Sequence, residues 1–405
     1  MTFLTETSLT ARLADRADGY HPSPVRAVFE VSMRPNMISL AGGNPNLDGL
    51  PLDRIADMAH AIITNHGRDA LQYGSGAGTP ELQQLICDVM ALEGITADPA
   101  NVQITSGSQM ALELVTKLFC NPGDVVLAEG PTYVGALGTF EGFQADVVQL
   151  PIDEAGLVPA LLQEAITTLK EHGKSIKFLY TIPNFNNPSG VSLAASRRQL
   201  IVDICRSEGI VIVEDNPYGL LSFDGSTQAA LHSLDPENVL YLGSFSKIFS
   251  PGLRIGWLLA PGEVRNRFQV AAESTTICPS VLSQMLVENY ISGFDWRGHV
   301  RDACATYAAR CAAVLGALKE HMPHGSSWTV PTGGFFTWIT LPPGRSVEAL
   351  LQPSIDGGVV FVPGSAFYAE PAGANQLRVA FSFEEEESLV EGIRRLGIAV
   401  AALPY

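Results

Sequence analysis

The chain has 405 residues, of which 46% are hydrophobic and 17% are charged, and its net charge is −17. That length is enough for two domains with a large buried core. The composition is typical of a globular protein and excludes a disordered or fibrous one. The negative net charge argues against nucleic acid and anionic membrane surfaces as partners. No apolar stretch reaches the length of a membrane span, and the first 20 residues lack the apolar core of a signal peptide, so we expect a cytoplasmic protein.

The cysteines and histidines indicate neither disulfides nor a metal site. The eight histidines are scattered without metal-ligand spacing, so we expect no metal. The cysteines lie mostly within apolar runs and include no Cys-x-x-Cys pair, which predicts free thiols in a reducing compartment. They are Cys87, Cys120, Cys205, Cys278, Cys304 and Cys311.

The N-terminal part of the chain is predicted to be an arm followed by helices. Residues 1–35 form the arm, with a helix around residues 24–33, and a turn-rich loop follows at Ala41-Gly42-Gly43-Asn44-Pro45-Asn46. A helix is expected from about residue 52 to about residue 65. Another begins after Thr79-Pro80, with the threonine as N-cap and the proline at the first helical position.

From residue 100 onward, short apolar segments alternate with amphipathic segments of helical period. This alternation predicts a mostly parallel sheet in an α/β fold, covered by helices on both faces. Ligands of such sheets bind at the loops beyond the carboxyl ends of the strands. The predicted strands are 102–104, 124–127, 177–180, 210–213 and 239–242.

The last part of the chain is predicted to hold a long helical stretch, from about residue 283 to Leu318, and then a smaller α+β domain. Strand-like segments at 334–339 and 376–381 support that second domain. The expected parts are an N-terminal arm, 1–35, which packs with the small domain, a large domain, 36–285, and a small C-terminal domain, 286–405.

The most informative stretch runs from Ser244 to Trp257 and places Lys247 among serine hydroxyls, with Arg254 seven residues further on. Hydroxyl donors and a guanidinium that binds in a bidentate manner suit a phosphate dianion. A lysine fixed beside a bound phosphate predicts a phosphorylated aldehyde cofactor held as a Schiff base. The alternative, a lysine in a surface loop between two buried strands, is disfavoured by the motifs that follow.

Two further loops come after predicted strands. In the first, the chain turns at Gly107 and a helix begins, whose free N–H groups and Ser108 hydroxyl form an anion site. Ordinary helix capping is the alternative for this loop. In the second, Tyr133 has a ring suited to stacking on a flat cofactor, and a tyrosine of the core is the alternative.

Two more loops present polar side chains after buried strands. The segment 184–190 holds Asn187 beside a proline, where its amide can both donate to and accept from a ligand, with turn chemistry alone as the alternative. Asp215 ends a wholly apolar strand, where burial of a carboxylate is costly without a partner. A pyridinium N–H is such a partner, and Tyr218 lies within reach of a phenolate oxygen.

In this order along the chain, the motifs resemble those of the fold type I pyridoxal-phosphate enzymes, and among them the class I/II aminotransferases. The resemblance extends from about residue 24 to the end and is closest to the 2-aminoadipate, kynurenine and aromatic aminotransferase branch. It implies an α/β fold type I PLP-transferase, with a mostly parallel seven-stranded sheet between helices in the large domain and a smaller α+β C-terminal domain. The segments that carry it are 38–46, 71–74, 106–109, 244–254 and Gln376-Leu377-Arg378-Val379-Ala380-Phe381.

The resemblance also implies roles for individual residues, with pyridoxal 5'-phosphate as the cofactor. Lys247 binds the cofactor covalently, Asp215 keeps its pyridine nitrogen protonated, and Tyr133 stacks on its ring, which makes these three the predicted catalytic residues. The other predicted cofactor ligands are Ser108, Gln109, Asn187, Tyr218, Ser244, Ser246 and Arg254, and Tyr73 from the other subunit of a homodimer.

Substrate binding is predicted to involve Arg378, for the α-carboxylate, with Asn187 and Gly42 beside it. Arg26 aligns with an arginine of the N-terminal helix that binds a distal carboxylate in some aminoadipate enzymes of this branch. A surface ion pair is the alternative for this arginine, and an apolar or aromatic pocket formed by the arm is a second alternative for substrate selection.

The implied activity is transfer of an amino group between an L-amino acid and a 2-oxo acid. Glutamate and 2-oxoglutarate are one expected pair, and the second substrate is an aromatic, 2-aminoadipate-like or specialised-metabolite amino acid. A lyase or decarboxylase on the same scaffold is the first alternative, since the same lysine and arginine serve both reactions. The ligand-sensing domain of a regulator is the second, which we do not expect because only about 35 residues precede the first site motif.

Overall fold

The structure, a computed structural model, describes residues 9–22 and 24–403, without the side chains of Pro24, Arg26, Ala27 and Phe29. Its α-helices are α1 (Pro24–Ser32), α2 (Leu52–Ala70), α3 (Pro80–Met90), α4 (Ser108–Phe119), α5 (Val134–Gly142), α6 (Pro159–Glu171), α7 (Ala195–Glu208), α8 (Gly262–Thr276), α9 (Val281–Gly293), α10 (Trp296–His321), α11 (Val347–Asp356) and α12 (Glu386–Ala402). Its strands are β1 (Ile38–Ser39), β2 (Val102–Thr105), β3 (Val125–Gly130), β4 (Asp146–Asp153), β5 (Gly156–Leu157), β6 (Ile176–Thr181), β7 (Val211–Asp215), β8 (Val239–Ser244), β9 (Gly256–Leu259), β10 (Ser327–Trp328), β11 (Phe336–Thr340), β12 (Val359–Val360), β13 (Val362–Pro363) and β14 (Gln376–Ala380). Among the described residues, no helix combines the length and the apolar character that crossing a membrane requires.

The central sheet has the strand order β2-β9-β8-β7-β6-β3-β4-β5. Strands β4, β3, β6, β7 and β8 run parallel to one another. Strand β9 is antiparallel to both of its neighbours, and β5 is a two-residue antiparallel addition at the edge. The implied seven-stranded, mostly parallel sheet is therefore confirmed, and β5 extends it. Its inner strands are buried along their length, as expected of strands covered by helices on both faces.

Helices cover both faces of this sheet and form separate cores. Helices α4, α5 and α8 lie on one face, where Phe140, Phe178 and Trp257 are buried. Helices α6 and α7 lie on the other face, where Leu162 and Ile201 are buried. Full burial of one such side chain contributes about 1.5–3 kcal/mol, so the sheet is a firm base for the loops at its edge.

A second, antiparallel sheet with the order β10-β11-β14-β13 forms the smaller α+β part of the molecule. Helices α10 and α12 pack against each other, and α1 packs against β12 and β13. Strand β1 pairs in parallel with β12, where Ile38 is opposite Val359. The beginning of the described chain is thereby joined to its C-terminal part.

The prediction of one helical stretch from about residue 283 to Leu318 is wrong, because two helices, α9 and α10, occupy it. The backbone is extended at Phe294, and the Asp295 carboxylate accepts a hydrogen bond from the Gly298 N–H at the start of α10, as an N-cap does. The apolar pattern continues through both helices, so the pattern alone does not reveal the break. Helix α9 packs on α2 and α3, and the predicted end of the large domain, residue 285, lies within it.

The carboxyl ends of the parallel strands, together with the end of β2, meet at one edge of the central sheet. Ser108 and Tyr133 follow β2 and β3, and Asn187 follows β6. Asp215 and Ser244 are the last residues of β7 and β8. The topology therefore brings the polar sequence motifs to the place where sheets of this kind bind ligands.

Candidate active site

A cavity of about 240 Å³ lies at this edge of the central sheet. It is lined by segments from α1 near the beginning of the chain to β14 near its end, and most of the residues that the sequence motifs single out contribute to it. Those residues are Ser108, Gln109, Tyr133, Asn187, Asp215, Tyr218, Ser244, Ser246, Lys247, Arg254 and Arg378.

Lys247 lines the cavity from the turn after β8. Its Nζ donates a hydrogen bond to the carbonyl oxygen of Gly43 at 2.9 Å and lies 5.6 Å from the centre of the Phe335 ring. Burial lowers the pKa of Lys247 from 10.5 to about 8, and the positive charges of Arg378 and Arg254 act in the same direction. About half of the amine is therefore neutral at a pH of about 8, and in that form it is a nucleophile or a base.

Asp215 is 5% exposed at the end of β7. Its Oδ2 accepts a hydrogen bond from the Tyr180 hydroxyl at 2.7 Å, whereas its Oδ1 is buried without a partner in the described structure. Burial raises the pKa of Asp215 to about 6, and the bond from Tyr180 opposes that rise. A buried carboxylate oxygen without a partner is costly, so a ligand that offers an N–H to Oδ1 removes that cost.

The amino end of α4 and the serines after β8 form one end of the cavity. Helix α4 begins at Ser108, so its first amide groups have no acceptor within the helix. The Ser244 Oγ donates to the Ser246 Oγ at 2.9 Å and accepts from the Ser246 N–H at 3.1 Å. The Arg254 guanidinium donates to the carbonyl oxygen of Ser106 at 3.1 Å. Free amides, hydroxyls and a guanidinium are the donors that a phosphate binds.

Two further residues of α4 and its entry loop have distinct tasks. Gly107 has a φ of 81°, and a Cβ added there would lie 2.3 Å from Nη2 of Arg254, so glycine is required both for the turn and for the close approach of the guanidinium. The side-chain amide of Gln109 donates to the Gly135 carbonyl oxygen at 3.1 Å and to the Thr139 hydroxyl at 2.8 Å, which ties α4 to α5. The donor that Gln109 keeps for an anion is its backbone N–H.

Arg378 is 3% exposed in β14. Its Nη1 donates to Asn187 Oδ1 at 2.8 Å, its Nη2 donates to the carbonyl oxygen of Ala41 at 2.5 Å, and its Nε has no partner in the described structure. The guanidinium lies 4.3 Å from the centre of the Phe336 ring and 5.0 Å from that of Phe367. Burial lowers the pKa of Arg378 to about 10, so it is cationic at neutral pH. A buried guanidinium bonded only to neutral acceptors suits a carboxylate ligand.

Two phenol rings complete the wall of the cavity. Burial raises the pKa of Tyr133 and of Tyr218, and the Asp215 carboxylate adds to both rises, so both hydroxyls are protonated at neutral pH. The Tyr218 ring packs edge-on against Phe335 and Phe336, with ring centres 5.4 Å and 6.1 Å away. Both phenols are therefore held as hydrogen-bond donors beside the carboxylate.

Two predicted site residues do not line the cavity, and the side chain of a third is not among those that the structure describes. Tyr73 is 73% exposed in the loop after α2. Gly42 is next to the lining residue Gly43 but does not line the cavity itself. The side chain of Arg26 lies outside the described residues. The roles of these three residues stay predictions.

Other cavity residues were not singled out by the sequence. Phe336 and Gly43 lie beside Arg378 and Lys247, while Val25 and Val134 form part of the apolar wall. The alternating pattern of β11 marks Phe336 as an inward-facing residue but does not tell a core position from a cavity position. Gly43 belongs to a glycine-rich motif of the sequence, yet its contact with a lysine 204 residues away leaves no local signal.

Beneath the cavity lies a layer of buried polar residues, here called the polar layer, which consists of Glu93, Glu129, Thr181, Asn184, Asn186, Arg198, Asn216 and Tyr241. Glu129, at the end of β3, accepts hydrogen bonds from the Thr181 hydroxyl at 2.9 Å, the Ile182 N–H at 2.9 Å and the Asn186 amide at 2.8 Å. Burial raises the pKa of Glu129 to about 7, and these hydrogen bonds oppose the rise.

The rest of the polar layer is a chain of hydrogen bonds from Glu93 to Arg198. Glu93 accepts from the Asn216 amide at 2.6 Å and from the Tyr241 hydroxyl at 2.8 Å. Asn216 accepts from the Asn184 amide at 2.9 Å, and Arg198 donates to Asn184 Oδ1 at 2.6 Å. The chain supports the end of β7 and the loop after β6 from below.

The chain matches the sequence model of the aminotransferase class I and II family over residues 35–396. It belongs to this family. The enzyme is 37% identical over 385 residues to aromatic-amino-acid aminotransferase 1 of Thermococcus litoralis, with 95% of this chain and 92% of that relative covered. It is 34% identical over 386 residues to the 2-aminoadipate transaminase of Thermus thermophilus, with 94% of each chain covered. Its structure matches that of the kynurenine aminotransferase of Pyrococcus horikoshii with a TM-score of 0.92 at 35% identity, over 97% and 98% of the two chains.

Membership of the family confirms the predicted fold and the predicted activity. The enzyme is a pyridoxal-phosphate-dependent aminotransferase of fold type I. The similarity to aromatic, 2-aminoadipate and kynurenine aminotransferases confirms the resemblance to that branch of the family.

Proposed function

We propose that this enzyme transfers the amino group of an aromatic L-amino acid to 2-oxoglutarate, and that the cavity residues have the roles predicted for them. The observation that carries the proposal is a pair of buried atoms without partners in the described structure, Asp215 Oδ1 and Arg378 Nε. The first is an acceptor and the second is a donor on a cation. A ring N–H and a substrate carboxylate are the ligands that satisfy them.

The residues of the cavity fit pyridoxal phosphate. Asp215 offers its free Oδ1 to the pyridine nitrogen, and Lys247 offers an amine whose pKa is about 8. When bound, pyridoxal phosphate supplies an aldehyde carbon that takes up the amino group and a protonated ring that withdraws electrons from the substrate. Asn187 and Tyr218 are proposed to hold the ring oxygen of the cofactor, and Tyr133 is proposed to stack on the cofactor ring. The residues proposed to hold the phosphate are Ser108, Gln109, Ser244, Ser246 and Arg254.

Lys247 is the residue proposed to move the proton. In its neutral form the amine accepts a proton from the substrate Cα and returns it to the carbon that received the amino group. The hydrogen bond from Nζ to the Gly43 carbonyl oxygen holds the amine at the cavity wall. Proton transfer by a group fixed in this way contributes about 10²–10⁴-fold to a rate.

Arg378 and Asn187 are proposed to orient the substrate. The guanidinium is held by Asn187 Oδ1 and the Ala41 carbonyl oxygen, which leaves Nε for the α-carboxylate. A carboxylate fixed at this point sets the direction of the Cα–H bond toward Lys247. Such orientation lowers the barrier because the reacting groups no longer have to find their alignment.

The remaining lining favours an apolar or aromatic substrate side chain. Val25, Val134, Ile182 and Phe336 contribute to the wall. The cations of the described lining are Lys247, Arg254 and Arg378, and each already has a proposed partner. The names of the aromatic-amino-acid and kynurenine aminotransferases similar to this chain support the same substrate class.

A homodimer located in the cytoplasm completes the proposal. Tyr73 of the partner subunit is proposed to reach the cofactor phosphate. The exposure of two large side chains in that loop, 70% at Leu71 and 73% at Tyr73, supports a contact with another chain. The proposed division of the subunit remains an arm at 1–35, a large domain at 36–285 and a small domain at 286–405.

The test is the visible absorbance of the enzyme loaded with pyridoxal phosphate, recorded before and after addition of phenylalanine, glutamate, 2-aminoadipate or arginine. We expect phenylalanine and glutamate to remove the visible band with formation of an equal amount of the matching 2-oxo acid. Release of ammonia with the oxo acid would instead support a lyase. A reaction with 2-aminoadipate and not phenylalanine, lost in Arg26→Ala, would replace the aromatic substrate with a dicarboxylic one.

A further inference from the structure

The loop of residues 183–193, here called the Asn187 loop, carries the amide that holds Arg378, and buried residues away from the cavity fix its conformation. We propose that Glu129 is a positioning residue, which holds Asn186 and thereby fixes Asn187 and the guanidinium that binds the substrate carboxylate. The inference rests on the role proposed above for Arg378.

Glu129 and Asn186 form the central contact of this loop. The Asn186 amide nitrogen donates to Glu129 at 2.8 Å, and its Oδ1 accepts from the Ser189 N–H at 3.1 Å and the Ser189 hydroxyl at 2.9 Å. The Asn186 backbone bonds to Val191 and to Gly190 at 2.8 Å and 2.6 Å. One side chain therefore joins the turn of the loop to the end of β3.

Asn187 directly follows Asn186, so a shift of Asn186 reaches Asn187 across one peptide unit of about 3.8 Å. The Asn187 Oδ1 lies 2.8 Å from Nη1 of Arg378, and a displacement of 1 Å breaks a hydrogen bond of that length. The guanidinium then loses one of the two acceptors that fix it.

Glu129 also bonds to the Ile182 N–H just before the base of the Asn187 loop, but the base has further contacts that do not involve Glu129. Arg198 donates to the carbonyl oxygens of Pro183 at 3.2 Å and Leu193 at 3.3 Å. The Leu193 N–H also bonds to the Pro183 carbonyl oxygen at 2.8 Å. Loss of the bond between Glu129 and Asn186 therefore acts mainly on the tip of the loop, because the contacts of Arg198 and Leu193 still hold its base.

The donors around position 129 are satisfied best by a carboxylate. Two donors, the Ile182 N–H and the Asn186 amide, meet at the same oxygen, Oε2, and the Thr181 hydroxyl meets the other. In Glu129→Gln the volume is kept but the charge is lost. An NH₂ group at the position of Oε2 faces two donors, and at the position of Oε1 it reverses the bond with the Thr181 hydroxyl and leaves only a neutral acceptor for the other two donors. Burial of a carboxylate with neutral partners is costly, and the accurate placement of Asn187 accounts for that cost.

Glu214 provides a matched control in the same sheet. It is as fully buried as Glu129, its pKa is also raised to about 7 by burial, and it accepts two backbone hydrogen bonds of 2.9 Å from Leu231 and His232. These bonds lead to the 3₁₀ helix Leu231–Ser233, which does not line the cavity. Because β7 is paired with β6 on one side and with β8 on the other, which holds the neighbouring Asp215 in register, Glu214→Gln imposes the same chemical change without moving Asp215 or the Asn187 loop.

The experiment compares Glu129→Gln with Glu214→Gln in the loaded enzyme. The ligand is 3-phenylpropionate, a carboxylate without an amino group, so its Kd by calorimetry reports carboxylate binding in the absence of reaction. We expect Glu129→Gln to raise this Kd and the KM for phenylalanine about tenfold, the effect of losing a hydrogen bond to a charged group. The kcat of Glu129→Gln and the affinity of its apoenzyme for pyridoxal phosphate should stay within about twofold of the wild type. In Glu214→Gln the Kd for 3-phenylpropionate, the KM for phenylalanine, kcat and the cofactor affinity should all stay within that range.

Two further variants keep the inference testable if Glu129→Gln folds poorly. Asn186→Ala removes the same contact from its other side, and we expect it to raise the Kd for 3-phenylpropionate at least as much as Glu129→Gln does; combining the two changes should add little, because both remove one contact. Ser189→Ala removes one donor to Asn186 and should raise the Kd about threefold, as expected for one neutral hydrogen bond.

Equal effects of Glu129→Gln and Glu214→Gln would overturn the inference, as would a parallel loss of cofactor affinity or additive effects when Glu129→Gln and Asn186→Ala are combined. A wild-type enzyme that binds no 3-phenylpropionate and does not react with phenylalanine would overturn the proposed substrate. In that case the same variants are compared with the amino acid that does react, so the two failures remain separate.

Discussion

The cavity and the polar layer beneath it are built from the same kinds of residue, but their hydrogen bonding differs. At the cavity, Asp215 and Arg378 each keep a buried polar atom without a partner in the described structure. In the polar layer, both carboxylate oxygens of Glu129 and of Glu93 accept hydrogen bonds. A buried polar atom without a partner costs about 1–3 kcal/mol. The comparison therefore separates groups that await a ligand from groups that support them.

The Asn187 loop contains residues of both kinds, one that lines the cavity and two that belong to the polar layer. Asn184 and Asn186 belong to the polar layer and bond to other residues of it, whereas Asn187 lines the cavity and bonds to Arg378. Residue type alone does not distinguish the three asparagines, but their partners do. Supporting residues should affect stability or ligand placement, and cavity residues should affect the chemical step.

The largest effect is expected from removal of the amine at the cavity. Lys247→Ala loses both the covalent bond to the cofactor and the proton carrier, so we expect single-turnover transamination of phenylalanine to fall more than about 10⁴-fold. Absorbance after rapid mixing measures it. The exposed Lys319 at the end of α10 gives the control Lys319→Ala, which should keep the wild-type rate. Near-normal turnover in Lys247→Ala would contradict the assignment of this lysine.

A smaller loss is expected when the free carboxylate oxygen becomes part of an amide. Asp215→Asn keeps the size of the side chain but no longer stabilises a proton on the pyridine nitrogen, so kcat should fall about 10²–10³-fold. Tyr180→Phe removes only the partner of Oδ2 and should cost about tenfold or less. Steady-state kinetics with both variants checks that Asp215→Asn loses more kcat than Tyr180→Phe. An equal loss in the two would contradict the view that Oδ1, and not Oδ2, is the atom that binds the cofactor.

The pH dependence of the apoenzyme sharpens the comparison by titrating one cavity group. The pKa of Lys247 is lowered from 10.5 to about 8, so the amine is protonated below about 8 and neutral above it. The rate at which Lys247 captures pyridoxal phosphate should rise about tenfold per pH unit below that value and level off above it. Arg378→Gln removes a positive charge that contributes to this shift, so it should move the inflection to higher pH. An inflection that stays near 10 in the wild type would mean that the cavity does not perturb this amine.

The smallest effect on catalysis is expected within the polar layer at a distance from the cavity. Glu93→Gln replaces a carboxylate that accepts from Asn216 and Tyr241 and should lower the free energy of unfolding by about 1–3 kcal/mol. Because no bond of Glu93 reaches a cavity residue directly, kcat/KM should stay within about threefold of the wild type. Denaturant unfolding and steady-state kinetics on the same preparation measure both quantities. A large loss of kcat/KM with unchanged stability would mean that Glu93 acts in catalysis and does not merely support the fold.

Much of the fold and the centre of the site could be predicted because their signals are local. The apolar segments before Asp215 and Ser244 mark buried parallel strands, and a lysine among serines with an arginine beyond is an unusual combination. The break between α9 and α10 is only weakly marked, because the apolar pattern continues through it. Its main cue is Asp295, which caps α10.

Contacts between distant segments were beyond the sequence. The sequence motifs did not single out Glu129, and nothing near it in the chain indicates that its partners are Thr181, Ile182 and Asn186. An acidic residue before Gly-Pro is most simply taken as an exposed turn residue. Its burial follows from the pairing of β3 with β6, which is a property of the sheet and not of the local sequence.

The bond between Arg378 and Asn187 has a thermodynamic consequence, because it crosses from the antiparallel sheet to a loop of the central sheet. A carboxylate bound at the guanidinium, as proposed above, would act on this connection between the two sheets. Linkage is reciprocal, so a ligand that tightens this connection is itself bound more tightly whenever the connection is stabilised by other means. Excluded osmolytes favour compact arrangements, and they should therefore increase the affinity for the amino acid without ever contacting the residues that bind it.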